Sequence, residues 1–138
     1  MPVTLSVHPA LGLAFISYSG HAKAAEALDA LAEYQQHPDY ASGQKHLIDF
    51  SNVTSFEGDF TKLMELQAKL LEAFPHDHQV LFVFCAPTPL SQKMAQLSVN
   101  AWVGTNKVVT RLLDSEAAAM DVVGLPSMTF ANLTRQTA

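Results

Sequence analysis

Three carboxylates follow one apolar run in the middle of the chain. Asp49 lies near the end of the run His46–Phe50, and Glu57 and Asp59 come shortly after it. Paired carboxylates can drive their pKa values apart and act as acid and base, and ligands of open α/β sheets bind outside the carboxyl ends of the strands. Asp49 and Asp59 also have structural explanations, because the first closes a strand and the second can cap a helix that begins at Phe60. The structural explanation is favoured, and we predict no catalytic residue.

The histidines and the single cysteine give no stronger evidence of a functional site than the carboxylates do. His76-Asp77-His78 offers two imidazoles and a carboxylate that could bind zinc or nickel, but it follows a helix-ending Pro75, where a solvated loop is favoured. Cys85 precedes a helix start, which could lower the pKa of its thiol, yet its apolar surroundings favour a buried packing cysteine. The glycines form neither Gly-x-Gly-x-x-Gly nor a phosphate loop. We therefore predict no metal and no cofactor.

The composition is that of one globular domain. The chain has 138 residues, of which 49% are apolar and 15% charged, so it is neither disordered nor a coiled coil. The formal net charge is −5 and the eight Lys and Arg residues are scattered singly, which argues against nucleic acid and anionic membranes as partners. The longest apolar run, Val80–Ala86, is too short to span a bilayer. The single cysteine and an N-terminus without a signal-peptide pattern predict a cytoplasmic protein.

Hydrophobic periodicity predicts the elements that position these residues. Apolar runs and period-two alternation predict five strands, namely Val3–His8, Leu13–Tyr18, His46–Phe50, Gln79–Cys85 and Lys107–Leu113. The first two are joined by a short turn and should form an antiparallel hairpin, and helical spacing follows each later strand. We therefore expect an α/β fold whose five-stranded, mixed, mostly parallel sheet carries about four helices in the order β-β-α-β-α-β-α-β-α. Residues 1–126 would form the domain and residues 127–138 a C-terminal tail.

Caps and breakers predict where the helices lie. The first should span His21–His37, and the second should start after a polar loop, Ser51–Gly58. Helical spacing in the second helix joins the residues Phe60, Leu63, Met64, Gln67, Leu70, Leu71 and Phe74. Thr88 followed by Pro89 is a strong start signal for the third helix. Ser115 precedes an alanine-rich last helix that should stop at Gly124, and the tail beyond it is either weakly ordered or packs only through Met128 and Phe130.

The segment Asp49-Phe50-Ser51-Asn52-Val53-Thr54, with Phe56 beyond it, resembles the SpoIIAA-like, or STAS, domains. It is similar also to the small bacterial proteins that group with both STAS and SEC14-type domains, and the element order matches over roughly residues 3–125. The resemblance implies a regulatory protein that acts through protein contacts. Anti-sigma factor antagonists of this family place a phosphate-accepting serine where this chain has Glu57-Gly58-Asp59, so the serine switch is not expected here.

Two classes of function follow. The first is a non-enzymatic regulatory module that binds an unknown protein partner through the loop residues Asp49, Phe56, Glu57, Asp59 and Phe60. A homodimer is a separate prediction. The second is a pocket for a small apolar or lipid-like ligand at the strand-end edge, for which Met64, Met94 and Trp102 are candidates because flexible thioethers line adaptable pockets. Core packing is the default interpretation of Trp102 and of the charge-poor helix Leu90–Val103, and a dimer interface or a pocket wall is the alternative.

Overall fold

The structure is a computed structural model that describes residues 3–57, 60–73, 79–102 and 106–135. It confirms an α/β fold with five strands in one mixed, mostly parallel sheet. The strands are β1 Val3–His8, β2 Leu13–Ala22, β3 Lys45–Phe56, β4 Val80–Cys85 and β5 Val108–Leu113. The helices are α1 Ala24–Gln36, α2 Phe60–Ala73, α3 Pro89–Ala101, α4 Glu116–Val122 and α5 Phe130–Arg135. None of the described helices has the length and apolar character that a bilayer crossing requires.

The strands lie side by side in chain order, β1-β2-β3-β4-β5. The hairpin β1–β2 is antiparallel and turns through a short 3₁₀ segment, Pro9–Leu11, that ends at Gly12 with a φ of 61°, a left-handed conformation that glycine adopts without penalty. The remaining pairs are parallel. Parallel crossovers are right-handed almost without exception. Because each crossover leads to the next strand on the same side of the sheet, α1, α2 and α3 lie on one face.

That arrangement leaves the second face for the end of the chain. Leu47, Val83 and Cys85 point to this face, where they pack against Met120 of α4 and Leu133 of α5. The rings of Phe15 and Phe130 lie 5.1 Å apart there. The C-terminal tail is therefore packed rather than weakly ordered over residues 128–135, and Leu133, which is fully buried, joins Met128 and Phe130 in that packing.

The prediction of a loop over Ser51–Gly58 is wrong for residues 51–56, because these residues continue strand β3. Their partners are residues 19–22 of β2, which itself runs past Gly20 to Ala22. Register shifts between Ser17 and Ser19 and between Gly20 and His21 absorb the irregular pairing. Because residues 21 and 22 are in the strand, α1 begins at Ala24 rather than at the predicted His21.

The predicted helix starts after β4 and β5 are confirmed. The hydroxyl of Thr88 accepts a hydrogen bond from the Ser91 N–H at 3.1 Å, and the Ser91 hydroxyl accepts one from the Thr88 N–H at 2.9 Å, which together make a capping box with Pro89 in the first turn. Ser115 caps α4 by accepting from the Ala118 N–H at 3.2 Å. The helix ends before Gly124, whose φ is 86°.

Candidate functional site

A cavity with a volume of about 110 Å³ lies between the sheet and the helical layer α1–α3. Its floor is aromatic. Every second side chain of β3 and β4 faces the helices, and these include Phe50, Phe82 and Phe84. Its roof includes small side chains, those of Ala27, Ala30, Ser98 and Ala101. Small residues above a floor of large rings leave the space unfilled, so the sequence itself creates the cavity.

One wall of the cavity is a run of stacked and edge-on rings. The His46 imidazole stacks on Phe82 with 4.5 Å between centroids, and Phe82 meets the edge of Trp102 at 5.4 Å. On its other side His46 meets the Tyr34 ring at 5.4 Å. Burial lowers the pKa of His46 from 6.5 to about 4, because desolvation disfavours the charged imidazolium. The wall is therefore uncharged at neutral pH.

The hydroxyl of Tyr34 is already used by the protein. It donates to Gln44 Oε1 at 2.5 Å, and the Gln44 amide in turn donates to the Asp39 carbonyl at 3.1 Å. Burial, with a smaller contribution from Tyr40, raises the pKa of the Tyr34 phenol above its ordinary value. Ser98 is likewise satisfied, since its hydroxyl donates to the Met94 carbonyl at 3.2 Å. The Tyr34–Gln44 contact ties α1 to the loop before β3, the Ser98 bond lies within α3, and the cavity wall is left mainly apolar.

Gln67 of α2 is the exception in this wall. Its Oε1 atom is buried and has no hydrogen-bond partner among the residues that the structure describes. A buried acceptor without a partner costs roughly 1–3 kcal/mol, and such groups are rare in native interiors. Gln67 therefore lines the cavity as a residue, while its unsatisfied Oε1 atom is enclosed by protein atoms rather than open to the cavity space.

A second cavity, of about 70 Å³, lies next to the first. The two share lining residues, among them Tyr18, Phe50 and Leu66, so they are adjacent. The second cavity extends toward the end of β3, where Phe56 and Glu57 line it. The two cavities therefore lie side by side, the second nearer to the end of β3.

The structure brings four of the residues singled out from the sequence to these two cavities. Phe56, Glu57 and Met94 line the second cavity, and Trp102, which is buried, lines the first. Met64 instead lies on the surface of α2, where its side chain is 43% exposed. Phe60 opens α2, but its side chain, like the whole of Asp59, lies outside the described part of the chain.

Asp49 is on the opposite face of the sheet from the cavities. Its carboxylate accepts the Ser51 N–H at 2.9 Å and the Ser51 hydroxyl, and at 3.5 Å it accepts the Ser17 hydroxyl. The Ser51 hydroxyl also lies 3.7 Å from the sulfur of Cys85, on the face that α4 and α5 cover. Asp49 is therefore separated by the sheet from the second cavity, which Glu57 lines, so these two carboxylates do not form one acidic loop.

Cys85 is a packing residue, as the sequence favours. It is fully buried, and burial raises the pKa of its thiol. The hydrogen bond with Ser51 lowers that pKa in part, and the carboxylates of Asp49, Glu116 and Asp114 raise it further. A protonated, buried thiol is a poor nucleophile. His76-Asp77-His78 lies outside the described residues, and the described part of the chain contains no group of three His, Cys, Asp or Glu residues that could hold a metal ion.

Comparisons with known proteins add no relative. No protein-family model, curated protein or solved structure matches this chain. The resemblance to STAS domains therefore stays a prediction, and the function has to be argued from the cavity and the groups that line it.

The residues that define the polar side of the cavity were not identified as site residues from the sequence. Gln67 falls on the helical stripe of α2 among apolar residues, and His46 precedes the apolar pair Leu47-Ile48 of β3. A polar residue within an apolar stripe was the available signal, because core positions rarely carry polar side chains without a reason. Tyr34 gave no comparable signal, since tyrosine is common at the edge of a core.

Proposed function

We propose that this protein binds a small, uncharged, mainly apolar molecule in the cavity between its sheet and helices α1–α3, without catalysing a reaction on it. The observation that carries the proposal is the size of the cavity, about 110 Å³. Native interiors contain few voids larger than a water molecule, whereas an engineered apolar cavity of roughly 150 Å³ stays dry and binds benzene. The space here fits a single ring.

The energetics favour an occupant. The rings that line the space lack partner atoms on their cavity side and forfeit dispersion contacts there. A ligand that fills the space restores the lost contacts with the surrounding rings, and removal of its own apolar surface from water adds to the affinity.

The charge of the occupant follows from the wall. The described lining residues of the first cavity include no Asp, Glu, Lys or Arg, whereas Lys23 and Glu57 line the second, and His46 is neutral at neutral pH because of its lowered pKa. A buried charge without a partner is strongly unfavourable. An uncharged molecule therefore fits, and a carboxylate or an amine does not.

Toluene binding to a cavity-filling variant and to a matched surface variant tests the proposal. Ala27 lines both cavities, so Ala27→Leu should fill space and lower the affinity for toluene at least about tenfold, while Ala25→Leu, on the exposed side of the same helix, should leave it unchanged. Trp102 is the only tryptophan and lines the first cavity, so its fluorescence reports occupancy. Absence of saturable toluene binding to the wild type, or equal binding to both variants, would refute the proposal.

A regulatory module that acts through protein contacts is the second candidate. Met64 on α2 and Leu97 on α3 are 43% and 40% exposed, and the two helices pack against each other. Exposed apolar side chains on neighbouring helices suit contact with another protein or with a second copy of the chain in a cytoplasmic homodimer.

The matched test uses two substitutions on α3. Leu97→Glu should abolish self-association, measured by light scattering over a range of concentrations, and retention of a protein partner in affinity capture. Gln96→Glu, at an exposed position of the same helix, should change neither. A wild-type chain that stays monomeric at high concentration and retains no specific partner would argue against this candidate.

A further inference from the structure

Tyr18 of β2 supplies a hydrogen-bond donor beside the first cavity. We infer that the molecule bound in this cavity carries one acceptor oxygen, as in a small cyclic ketone, and that this oxygen accepts a hydrogen bond from the Tyr18 hydroxyl. The inference rests on the proposed function, because it concerns the occupant of the same cavity. It adds a specificity-determining residue and a ligand class, an uncharged ring with a single acceptor.

Tyr18 lies where the two cavities meet. It lines both of them, and its ring packs edge-on against Phe50, which also lines both, with 5.3 Å between the ring centroids. The alternation of β2 places it there, because Ile16 and Tyr18 face the helices α1–α3 while Phe15 faces α4 and α5. The side chain of Tyr18 therefore extends from the sheet into the layer that contains the cavities.

The Tyr18 hydroxyl has no hydrogen-bond partner among the residues that the structure describes. In that part of the chain the enclosed side-chain polar atom without a partner is Gln67 Oε1, so the unpaired Tyr18 hydroxyl is not enclosed and keeps accessible surface. Burial nevertheless raises the pKa of the Tyr18 phenol, with a smaller contribution from the Glu26 carboxylate, because the hydroxyl is withdrawn from bulk water. Its accessible surface therefore faces the cavity space.

The hydroxyl offers a donor that the protein does not use. The raised pKa keeps the Tyr18 phenol protonated, and a phenol donates more strongly than it accepts because its oxygen lone pair is delocalised into the ring. Buried tyrosine hydroxyls usually find a partner. Two other hydroxyls of the wall are already engaged, since Tyr34 donates to Gln44 and Ser98 donates to the Met94 carbonyl. A ligand oxygen that accepts from Tyr18 supplies the missing partner.

The remaining wall requires the rest of the ligand to be apolar. A volume of about 110 Å³ admits one ring with a small substituent, and the rings of Phe82 and Trp102 line this space as an edge-to-face pair. A second polar group on the ligand would be buried against these rings without a hydrogen bond, which is unfavourable. A small ring with one carbonyl oxygen meets both requirements, while a sugar or a nucleobase, with several polar groups, does not.

Cyclohexanone and methylenecyclohexane test the inference, because they have nearly the same shape and only the ketone carries an acceptor oxygen. Affinities are measured by calorimetry for the wild type, Tyr18→Phe and Tyr40→Phe. The first variant removes the hydroxyl and keeps the ring, whereas Tyr40 is not among the described lining residues of either cavity. Since a hydrogen bond contributes a few-fold to about tenfold in affinity, the ketone-to-alkene affinity ratio should fall about fivefold in Tyr18→Phe and stay within about twofold in Tyr40→Phe.

Two more measurements test the direction of the hydrogen bond. Pyrrole donates through its N–H and has no acceptor oxygen, so its affinity relative to methylenecyclohexane should change less than about twofold in Tyr18→Phe. The infrared carbonyl stretch of cyclohexanone bound to the wild type should lie at a lower wavenumber than in hexane, because an O–H donor weakens the C=O bond. In Tyr18→Phe the stretch should return toward the hexane value.

The outcomes separate the inference from the proposed function. If the probes bind but Tyr18→Phe leaves the ketone-to-alkene ratio unchanged, the inference is overturned and the cavity remains a binding site. A pyrrole affinity that falls as much as that of the ketone would show that Tyr18 accepts rather than donates, which also overturns it. If no probe binds the wild type, the proposed function fails as well. Should Tyr18→Phe not fold, an unshifted carbonyl stretch in the wild type overturns the inference and a shifted one supports it.

Discussion

Acidification should destabilise the protein through His46. The imidazole is 6% exposed, and burial lowers its pKa from 6.5 to about 4. The unfolded chain takes up this proton near pH 6.5 and the folded chain only near pH 4, so between these values the unfolded state binds more protons. Stability is therefore full above about pH 6.5 and is lost as the pH falls toward about 4.

The magnitude follows from the two pKa values. One pKa unit corresponds to about 1.4 kcal/mol, so the full difference between 6.5 and about 4 is about 3 kcal/mol. At about pH 5, where most carboxylates are still ionised, the linkage relation gives a loss of about 2 kcal/mol relative to neutral pH. That is a large part of the stability of a domain this size.

Urea denaturation at about pH 7 and about pH 5 measures the effect. His46→Phe keeps a ring stacked on Phe82 and removes the titrating group. Between about pH 7 and about pH 5, the free energy of unfolding of this variant should therefore fall by about 2 kcal/mol less than that of the wild type. His21→Gln, at an exposed position, should follow the wild type. Equal pH dependence in the wild type and His46→Phe would refute a buried, neutral His46.

Three further substitutions or reactions test the described packing. Thr88→Ala removes the capping box of α3 and should lower the free energy of unfolding by about 1 kcal/mol in urea denaturation; no change would show that the cap is not formed. Leu133→Ala, at a fully buried position of α5, should lower it by about 2–5 kcal/mol, and an unchanged midpoint would place the C-terminal segment off the sheet. Cys85 should react with a thiol reagent far more slowly in the native protein than in denaturant, because it is buried and its pKa is raised; rapid native labelling would contradict that placement.

The strand and helix pattern could be predicted from the sequence because local signals specify it. The apolar alternation in β4 and the Thr88-Pro89 pair are read from neighbouring residues alone. The extension of β3 past Phe50 could not, since residues 51, 52, 54 and 55 are polar and resemble a loop. Only the pairing of that segment with a β2 strand of irregular register makes it a strand.

The role of α5 depends on the order of the strands in the sheet, which local sequence patterns do not predict. Local periodicity predicts crossover helices but not the order of the strands. Once the strands lie in chain order, α1–α3 cover one face and the other face needs a cover. A tail with Phe130 and Leu133 meets that need, although its pattern is too short to predict a helix. The face on which Asp49 lies depends on the same arrangement.

For a related reason, neither the cavity nor the unpaired Gln67 oxygen could be predicted from local sequence patterns. Ala27 and Ala101 look like ordinary small residues in helices, and Phe50 looks like an ordinary core ring; a void appears only when they are placed opposite each other. Gln67 becomes unusual only once the stripe that carries it faces that void. An unfilled volume and an unpaired acceptor each destabilise the folded chain. A small apolar molecule that fills the space would supply the contacts that the lining rings lack, which is why we assign the cavity to a binding site rather than to imperfect packing.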